Sequence, residues 1–380
     1  MTDFPASEFH GRAARLQSGL QRADMDALLL TTAPDVFYLS GFLTRFWESP
    51  ARPWFLLLPA AGDPVAVIPS IGAALMGQTW VRDIRCWSAP DLQDDGVSLL
   101  AEAVAELVPE DGRLGLPMGH ETHLRMPLAD FERLKSAIAP RRVADATDVV
   151  RRVREVKSEA EVARIREICA VAGRAFDRVP EIANEGVPLD QVFRRFQMLL
   201  LEEGADWVPY LAGGAGPGGY ADVISPATER PLQRGDVLML DTGAVRAGYF
   251  CDFDRNYAIG TAGDAAWRAY ETLYRATEAG LAAVRPGAVA EEVFQAMQAV
   301  IGQDGEAGRL GHGLGLSLTE WPSLMAGDRT VLREGMVLTL EPGMQVAPGA
   351  LMVHEEIVVV RDGGAELLTR RAPPEVPVLE

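Results

Sequence analysis

Four acidic residues and one histidine constrain the fold of this chain more than any other feature: Asp241, Asp252, His312, Glu341 and Glu355. Each adjoins an apolar, strand-like run or lies between glycines, so folding would draw ionisable groups into an apolar interior. Burying charges without partners is strongly unfavourable. Two divalent cations would offset the four negative charges, and carboxylate oxygens with an imidazole are ligands that such ions accept. We therefore expect these five side chains to converge on a metal site.

The two aspartates are predicted to share a β-hairpin. The apolar run Val237–Leu240 ends at Asp241, and Gly243 allows the backbone to turn away. The chain returns eleven residues later at Asp252, within the predicted strand Tyr249–Ala258. Adjacent strands would bring both carboxylates to one metal ion, although two such aspartates alone are also typical of a solvated hairpin.

The other three candidate ligands have similar surroundings. His312 stands between two glycines, which leave room for a backbone segment and a metal ion to approach closely. Glu341 follows an apolar run and precedes a Pro-Gly turn, and Glu355 precedes the apolar run Ile357–Val360. Glu356 is the alternative last ligand, because strand alternation directs only one of two neighbouring side chains towards the site.

Length and composition limit the classes of protein. At 380 residues, the chain is expected to form two domains, because one domain takes roughly 150 residues. A net charge of −18 argues against nucleic acid or an anionic membrane as a partner, and no run approaches the ~18 apolar residues that span a bilayer. No apolar run typical of a signal peptide occurs near the N-terminus, and three scattered cysteines favour a reducing, cytoplasmic location.

Alternating helical and strand patterns predict a small α/β domain over residues 1–150. Its predicted helices are Phe9–Ala23, Leu99–Leu107 and Met126–Ile138, and its predicted strands are Ala27–Leu30, Phe37–Gly41, Trp54–Leu58, Pro64–Ile68 and Arg113–Leu116. The segment Pro140–Arg154 is predicted to be a polar, arginine-rich connection.

Residues 151–380 are predicted to form an α+β domain. Ser158 and Glu161 make a capping-box pattern that opens a helix ending near Phe176. The other predicted helices are Leu189–Glu203, Asp264–Val284 and Ala290–Ile301, and the predicted strands are Val237–Leu240, Tyr249–Ala258, Val337–Leu340 and Ile357–Val360.

In their order and spacing, these segments resemble metallopeptidase family M24, which groups methionine aminopeptidase, Xaa-Pro aminopeptidase, Xaa-Pro dipeptidase (prolidase) and creatinase. The shared features are the Asp-x-Gly start at Asp241, a second aspartate eleven residues on, Gly-His312-Gly-x-Gly, Glu341-Pro-Gly, and Glu355 before a strand. In the first half, Tyr38-Leu-Ser-Gly is similar to an element of the prolidase and creatinase branch. The resemblance covers the whole chain and implies a pita-bread catalytic domain after a smaller α/β domain.

The resemblance also implies a chemistry. The five residues would bind two divalent ions (Mn²⁺, Zn²⁺, Co²⁺ or Fe²⁺), with Asp252 and Glu355 bridging both. A water between the ions would lose its proton and hydrolyse a peptide or amide bond, and Glu341 would accept and pass on that proton. The implied substrate is a small peptide or amide, and the implied assembly is a homodimer.

The chain departs from the peptidase members at two histidine positions. One precedes the aspartate hairpin and is Ile224 here; the other belongs to His-Glu-x-Pro, which here reads Thr319-Glu-Trp321-Pro. These three residues are therefore candidates for the substrate pocket. Only His312 and His354 lie in the second half, so His354 is the candidate catalytic replacement within the same domain. The alternative is that His10, His120 or His123 of the first half reaches the site of a partner subunit. Without a replacement, the loss of two proton donors would lower peptide cleavage by several orders of magnitude.

Further pocket candidates each have a plainer alternative. Trp321 either belongs to a simple turn or lines a pocket for a small or cationic group. Asp254, where the family has threonine, either pairs with Arg255 or another arginine, or it shifts the metal preference or attracts a cationic substrate. Arg45 and Arg52 lie in a loop that is either a plain surface feature or a lid that reaches across a dimer to hold a substrate carboxylate.

Three functions are compatible with these residues. The leading hypothesis is a cytoplasmic, homodimeric, dinuclear metal hydrolase of the Xaa-Pro peptidase class. The alternative is a creatinase-like member that acts on a small non-peptide compound, such as a cationic one, and the missing histidines favour it. The third is a non-catalytic binding protein, which the retained acidic ligands argue against.

Overall fold

The computed structural model describes residues 4–48, 51–302 and 308–380. The chain forms two compact units, Met1–Arg154 and Glu155–Glu380. The sequence-based boundary at residue 150 lies close to this division. Within the described residues, no helix combines the length and apolar character that crossing a membrane requires.

The first unit is a mixed sheet flanked by helices. Its strands are β1 (Ala27–Leu30), β2 (Phe55–Pro59), β3 (Val65–Pro69), β4 (Asp83–Trp87), β5 (Arg113–Leu116) and β6 (Arg142–Asp145). Its helices are α1 (Ala6–Arg22), α2 (Ala33–Ser40), α3 (Ala73–Met76), α4 (Val97–Leu107), α5 (Leu128–Ile138) and α6 (Thr147–Arg154). The strand order is β4-β3-β2-β1-β5-β6. Leu100 of α4 and Phe131 of α5 pack with Leu57 of β2 in one apolar core.

The prediction of a strand at Phe37–Gly41 is wrong, because these residues belong to α2 and its C-terminal cap. The side chain of Thr32 accepts the backbone N–H of Asp35 and caps the start of the helix. Gly41 ends the helix with a positive φ of 78°. The short apolar run resembles a strand in its composition, although the residues on either side of it cap a helix.

The prediction of a connection at Pro140–Arg154 is also wrong, because this segment contains β6 and α6. Helix α6 buries Val149, Val150 and Val153, while its arginines lie on the rest of its surface. The many polar residues of this segment led to the prediction of a connection, although its buried valines make it an amphipathic helix.

The second unit contains four helices and twelve strands within the described residues. The helices are α7 (Glu159–Asp177), α8 (Leu189–Glu203), α9 (Asp264–Ala283) and α10 (Ala290–Ile301). The strands are β7 (Trp207–Pro217), β8 (Asp236–Arg246), β9 (Tyr249–Phe250), β10 (Phe253–Ile259), β11 (His312–Gly313), β12 (Glu320–Ser323), β13 (Val337–Leu340), β14 (Gly343–Ala347), β15 (Ala350–Val353), β16 (Glu356–Arg361), β17 (Gly364–Leu367) and β18 (Val378–Leu379). The predicted capping box of Ser158 and Glu161 at the start of α7 is confirmed.

These strands form two larger sheets and one hairpin. One sheet has the order β18-β10-β8-β7 with β9 beside β8, and the other has the order β12-β11-β13-β16-β17. Helix α9 contributes to both apolar cores, since Leu273 packs with Val237 of β8 and Ala276 packs with Leu338 of β13. The five predicted ligands lie in or next to strands β8, β10, β11, β13 and β16 of these two sheets.

Candidate metal centre

The structure brings the five predicted ligands together. Asp241, Asp252 and Glu355 each offer a carboxylate oxygen, and these oxygens lie within 4.8 Å of one another. His312 Nε2 lies 3.3 Å from Asp252 Oδ2 and 3.7 Å from Glu341 Oε1. We call these residues the five-residue centre.

The β8–β10 pairing places the two aspartates. Asp241 lies within β8, opposite Asp254 of β10, and Asp252 immediately precedes β10. On the other side of β8, strand β7 carries Tyr210, whose hydroxyl is close enough to the carboxylate of Asp241 to lower the pKa of that group against the effect of burial. The hairpin predicted from the sequence therefore holds both carboxylates side by side.

The hydrogen bonds of His312 set its tautomer. Nδ1 lies 2.8 Å from the carbonyl oxygen of Gly313, which can only accept, so Nδ1 carries the ring hydrogen. The lone pair of Nε2 then faces Asp252 and Glu341. The backbone N–H of His312 donates to Thr339 Oγ1 at 2.9 Å and fixes the strand that carries the ring. This is the arrangement that a metal-binding histidine requires.

The glycines on either side of His312 allow β11 to lie against its neighbours. Gly311 has a φ of +146°, and a Cβ there would lie 2.3 Å from the carbonyl oxygen of Thr339. A Cβ on Gly313 would lie 2.0 Å from the carbonyl oxygen of Trp321. Any side chain at these positions would displace the histidine.

Glu355 and Glu356 face different surroundings. The carboxylate of Glu356 accepts hydrogen bonds from Arg255 Nη2 (3.1 Å), from the backbone N–H of Ala372 (2.7 Å) and from the hydroxyl of Thr369. Glu355 Oε1 has no hydrogen-bond partner among the described residues and belongs to the acidic cluster. The geometry therefore makes Glu355, and not Glu356, the acidic group of the centre.

Burial makes the centre unfavourable without a cation. It raises the pKa of Asp241, Asp252, Glu341 and Glu355 above the usual range of carboxyl groups, and for three of them the neighbouring carboxylates raise it further. Asp241 Oδ1, like Glu355 Oε1, is buried without a partner in the described chain. Oxygen donors with unused lone pairs and a correctly oriented imidazole fit a divalent metal ion.

The candidate catalytic residue His354 occupies a different environment, which corrects the expectation that it replaces an auxiliary histidine. The ring is 2% exposed, and its Nδ1 lies 2.9 Å from Thr277 Oγ1 of α9. Tyr270 and Tyr274 of the same helix contact it edge-on. Its described contacts are thus with α9 and not with the five-residue centre.

The candidates for the pocket next to the centre are spread over several sites. Ile224 is 79% exposed on a loop, where its backbone N–H donates to Asp222. Thr319 is half-buried and accepts a hydrogen bond from Arg309 Nη2 at 3.3 Å. Trp321 is half-buried, with its carbonyl oxygen against Gly313. Through Arg309, Thr319 is linked to Glu341 of the centre, because Arg309 Nε lies 3.7 Å from Glu341 Oε1.

Asp254 is buried rather than open to solvent. Its side chain is almost inaccessible, and its Oδ2 accepts a hydrogen bond from Asn256 Nδ2 at 2.6 Å. Arg255 donates to the backbone carbonyl of Asp254 and to the carboxylate of Glu356. The expected pairing of Asp254 with Arg255 is therefore absent from the described side-chain hydrogen bonds, and direct contact of Asp254 with a large cationic substrate is disfavoured.

Arg45 and Arg52 lie in the first unit. Arg45 is exposed, and Arg52 is half-buried with its guanidinium 5.4 Å from the centroid of the Phe46 ring. Arg125, which the sequence did not single out, donates to the backbone carbonyl oxygens of Trp47, Ala51 and Arg52. A side chain remote in sequence thus holds the backbone at Trp47, Ala51 and Arg52.

Two residues near the centre were missed by sequence reasoning. Arg309 Nε lies 3.7 Å from Glu341 Oε1, and this cation lowers the pKa of both Asp252 and Glu341 against the effect of burial. Its position three residues before His312 was an available signal. Tyr210 had no such signal, because glycines and prolines in its segment hid strand β7.

The model of "Metallopeptidase family M24" matches residues 163–362, and that of "Creatinase/Prolidase N-terminal domain" matches residues 12–156. The chain is 32% identical to the "Probable dipeptidase PepE" of Mycobacterium tuberculosis, over 95% of this chain and 94% of that protein. It is 29% identical to the "Xaa-Pro dipeptidase" of Pyrococcus horikoshii, over 92% and 94%. The crystal structure of dipeptidase PepE from Mycobacterium ulcerans matches with a TM-score of 0.84 and 31% identity, covering 99% of each chain.

Proposed function

The chain belongs to metallopeptidase family M24, and we propose that it is a dipeptidase that binds two metal ions at the five-residue centre. It is a metal-dependent peptidase with a pita-bread catalytic domain after a creatinase-type N-terminal domain. The observation that carries the proposal is the convergence of buried carboxylates with His312 Nε2. Family membership implies a divalent metal; the number of ions, their ligands and the substrate class are the proposal.

Charge supports two ions. Four carboxylates would contribute −4 when ionised, and two divalent cations would neutralise them in a site that raises every one of their pKa values. Asp241, Asp252, His312, Glu341 and Glu355 are the residues that would hold these ions. Mn²⁺, Zn²⁺, Co²⁺ and Fe²⁺ all accept these donors.

The protein side chains have separate roles in the proposed hydrolysis. When bound, divalent ions would supply an acidified water and polarisation of the scissile carbonyl. Glu341, whose side chain is 21% exposed against 7% for that of Asp252, accepts a proton from the water and passes it to the leaving amine. Burial and nearby carboxylates raise the pKa of the Tyr210 hydroxyl, so it stays protonated and holds Asp241 in place.

The substrate is proposed to be a small peptide, because the relatives bear the names dipeptidase and Xaa-Pro dipeptidase. Thr319 and Trp321 are the proposed pocket residues, with Ile224 at its outer edge. The comparisons do not favour the alternative of a small non-peptide compound.

Metal analysis and a substrate panel test the proposal. Protein prepared without chelator should contain about two divalent ions per chain, and EDTA should abolish hydrolysis until Mn²⁺ or Co²⁺ is restored. The panel consists of Xaa-Pro and other dipeptides, tripeptides, N-acylated dipeptides, small amides and betaines. Hydrolysis of dipeptides is the expected result. Turnover of amides or betaines alone, or metal-independent activity, would refute the proposal.

A homodimer in the cytoplasm is a further part of the proposal. The described free cysteines Cys86, Cys169 and Cys251 are compatible with a reducing compartment. The loop that carries Arg45 and Arg52 is the proposed lid over the partner's site. Light scattering of the purified protein tests the assembly, and a monomer at micromolar concentration would contradict it.

A further inference from the structure

The five-residue centre takes its ligands from two separate sheets. Asp241 lies in β8 and Asp252 directly precedes β10 of one sheet. His312 lies in β11 of the other sheet, where Glu341 adjoins β13 and Glu355 adjoins β16. Across the described part of the chain, no strand of one sheet pairs with a strand of the other. The spacing of the ligands therefore depends on the side chains and loops that join the two sheets.

Arg255 is a buried side chain that joins these sheets. It lies in β10, and its side chain is 11% exposed. Nη1 donates to the backbone carbonyl oxygens of Asp254 at 2.6 Å and of Glu355 at 2.9 Å. Nη2 donates to Glu356 Oε2 at 3.1 Å and to the backbone carbonyl oxygen of Arg370 at 2.6 Å. One guanidinium group thus connects β10 to the start of β16.

The contacts of Arg255 adjoin proposed ligands on both sheets. On the first sheet, Arg255 pairs in register with Leu240 of β8, the residue before Asp241. On the second sheet, it binds the backbone of Glu355 itself. Oε1 of Glu355 has no hydrogen-bond partner among the described residues, so no such bond fixes this oxygen in the metal-free fold. The backbone contact with Arg255 therefore helps to place this carboxylate.

Arg255 is itself held in one orientation. The centroid of the Phe253 ring lies 4.7 Å from its Cζ atom. The carboxylate of Glu356 is fully buried and also accepts the backbone N–H of Ala372 at 2.7 Å. The planar guanidinium directs its N–H groups at four acceptors, which the single ammonium group of lysine would not reproduce. None of these acceptors is a side chain of the five-residue centre, so Arg255 can act on the ligands only through their backbone.

We propose that Arg255 is a positioning residue: by joining the two sheets, it sets the spacing between the paired aspartates and Glu355, and so the affinity of the centre for divalent ions. This inference rests on the proposed function and assigns a residue that controls its metal occupancy. Metal–ligand distances in proteins vary by only about 0.2 Å, so even a small displacement of one sheet would weaken binding. Loss of a residue that orients metal ligands typically lowers metal affinity about 10–100-fold.

Calorimetric titration of metal-free protein with Mn²⁺ measures this effect. Arg255→Met should raise the Kd for Mn²⁺ at least about 10-fold. Arg255→Lys, which keeps the charge but not the planar fork, should raise it less. Circular dichroism establishes that each variant is folded at the temperature of the titration. A wild-type Kd in folded Arg255→Met would overturn the proposal.

A double variant removes the effect of an unpaired charge. In Arg255→Met, the buried carboxylate of Glu356 loses its closest cation, which by itself destabilises the fold. Arg255→Met/Glu356→Gln removes both charges, whereas Glu356→Gln alone keeps the bonds from Arg255 to the carbonyl oxygens of Asp254 and Glu355. The double variant should bind Mn²⁺ at least about 10-fold more weakly than Glu356→Gln. Equal affinities in these two variants would contradict the positioning role.

Arg230→Met is the matched control for loss of stability. Arg230 also pairs with a buried carboxylate, because its Nη1 and Nη2 lie 2.8 and 2.9 Å from the two oxygens of Asp236. Its removal should lower the melting temperature, as Arg255→Met does, but leave the Kd for Mn²⁺ unchanged. An equal loss of Mn²⁺ affinity in Arg230→Met and Arg255→Met would assign the effect to general destabilisation and refute the proposal.

The same measurements separate this inference from the proposed function. If the wild-type protein binds no divalent ion or cleaves no dipeptide, the proposed function fails. If the wild type does both, and the double variant binds Mn²⁺ as tightly as Glu356→Gln, only the positioning role of Arg255 fails.

Discussion

Asp252 is the residue on which the centre depends most closely. It is 5% exposed, its Oδ2 lies 3.3 Å from His312 Nε2, and it shares a cluster with Asp241 and Glu355. Within the described residues, no lysine or arginine side chain forms an ion pair with Asp252. A bound metal ion would therefore be the main group that offsets the cost of burying its charge.

The first prediction concerns the substitution Asp252→Asn, which keeps the shape of the side chain but removes its charge. We expect metal content to fall and kcat/KM to decrease by at least about 100-fold, because an amide is a poor ligand for a transition metal. Elemental analysis and dipeptide hydrolysis measure the two effects. The exposed Asp362→Asn is the matched control. Normal metal content in Asp252→Asn would exclude this residue as a ligand.

Substitutions of the neighbouring residues Glu355 and Glu356 should have opposite effects on metal binding and on the free energy of unfolding. Glu355→Gln should reduce metal binding while leaving the metal-free fold intact, because it removes a buried charge without a partner. Glu356→Gln should retain the metal ligands but lower the free energy of unfolding by about 3 kcal/mol, because Arg255 loses its buried carboxylate partner. Urea unfolding of metal-free protein, together with metal titration, measures both. The reverse pattern would mean that Glu356 is the ligand.

At the scale of elements, strand β11 positions His312 through its close approach to β12. Gly313→Ala would place a Cβ 2.0 Å from the carbonyl oxygen of Trp321, so the two strands would have to separate. We expect weaker metal binding and a free energy of unfolding lower by about 1–3 kcal/mol. Gly173→Ala in α7, where a Cβ would meet nothing within 4 Å, should be neutral or stabilising. Equal behaviour of the two variants would contradict the role of this contact.

The secondary structure could be predicted where periodicity and caps agree. Leu189–Glu203 and Ala290–Ile301 have the predicted bounds, because an apolar stripe and a terminal glycine mark both. The sequence did not indicate strand β7, because Gly213, Gly214 and Gly216 lack the side chains that mark a strand. Such a strand is fixed by its neighbour β8, and pairing of this kind is not visible in a local pattern.

The site could be predicted in part. The convergence of Asp241, Asp252 and Glu355 follows from charges next to apolar strands. His354 was expected to be catalytic because it adjoins Glu355, yet consecutive side chains of an extended segment point to opposite sides. Arg309 was missed because its importance depends on the tertiary approach of Glu341. Local sequence patterns thus predicted the candidate ligands, but not the residues, such as Arg309, that approach these ligands only in the folded chain.

For the whole molecule, metal removal should make stability depend on pH. In the metal-free fold, burial raises the pKa of Asp241, Asp252, Glu341 and Glu355 above the unfolded values of about 4. The folded state then binds more protons than the unfolded one. The stability that these groups contribute to the metal-free fold is fully present below pH ~4 and is lost as pH rises through their raised pKa values.

The corresponding experiment follows melting temperature from pH 5 to 8. Exposed or partly exposed carboxylates such as Glu203 and Glu366 have lowered pKa values and act in the opposite direction, so the comparison is with metal-free Asp252→Asn. As pH rises, the melting temperature of the EDTA-treated wild type should fall relative to that of this variant. Addition of Mn²⁺ should restore the melting temperature of the wild type but not change that of the variant. Parallel pH profiles would show that the acidic groups are not coupled to folding.

The order of the proposed ligands along the chain also has a consequence for biosynthesis. Asp241 and Asp252 are the first of the proposed ligands to leave the ribosome, and Glu355 follows about 100 residues later. At roughly 5–20 residues per second, that interval lasts about 5–20 s, during which the nascent polypeptide carries an incomplete set of donors. Cofactor loading is therefore expected to follow translation of the final strands, so the availability of the ion at that moment would determine how much newly made enzyme becomes active.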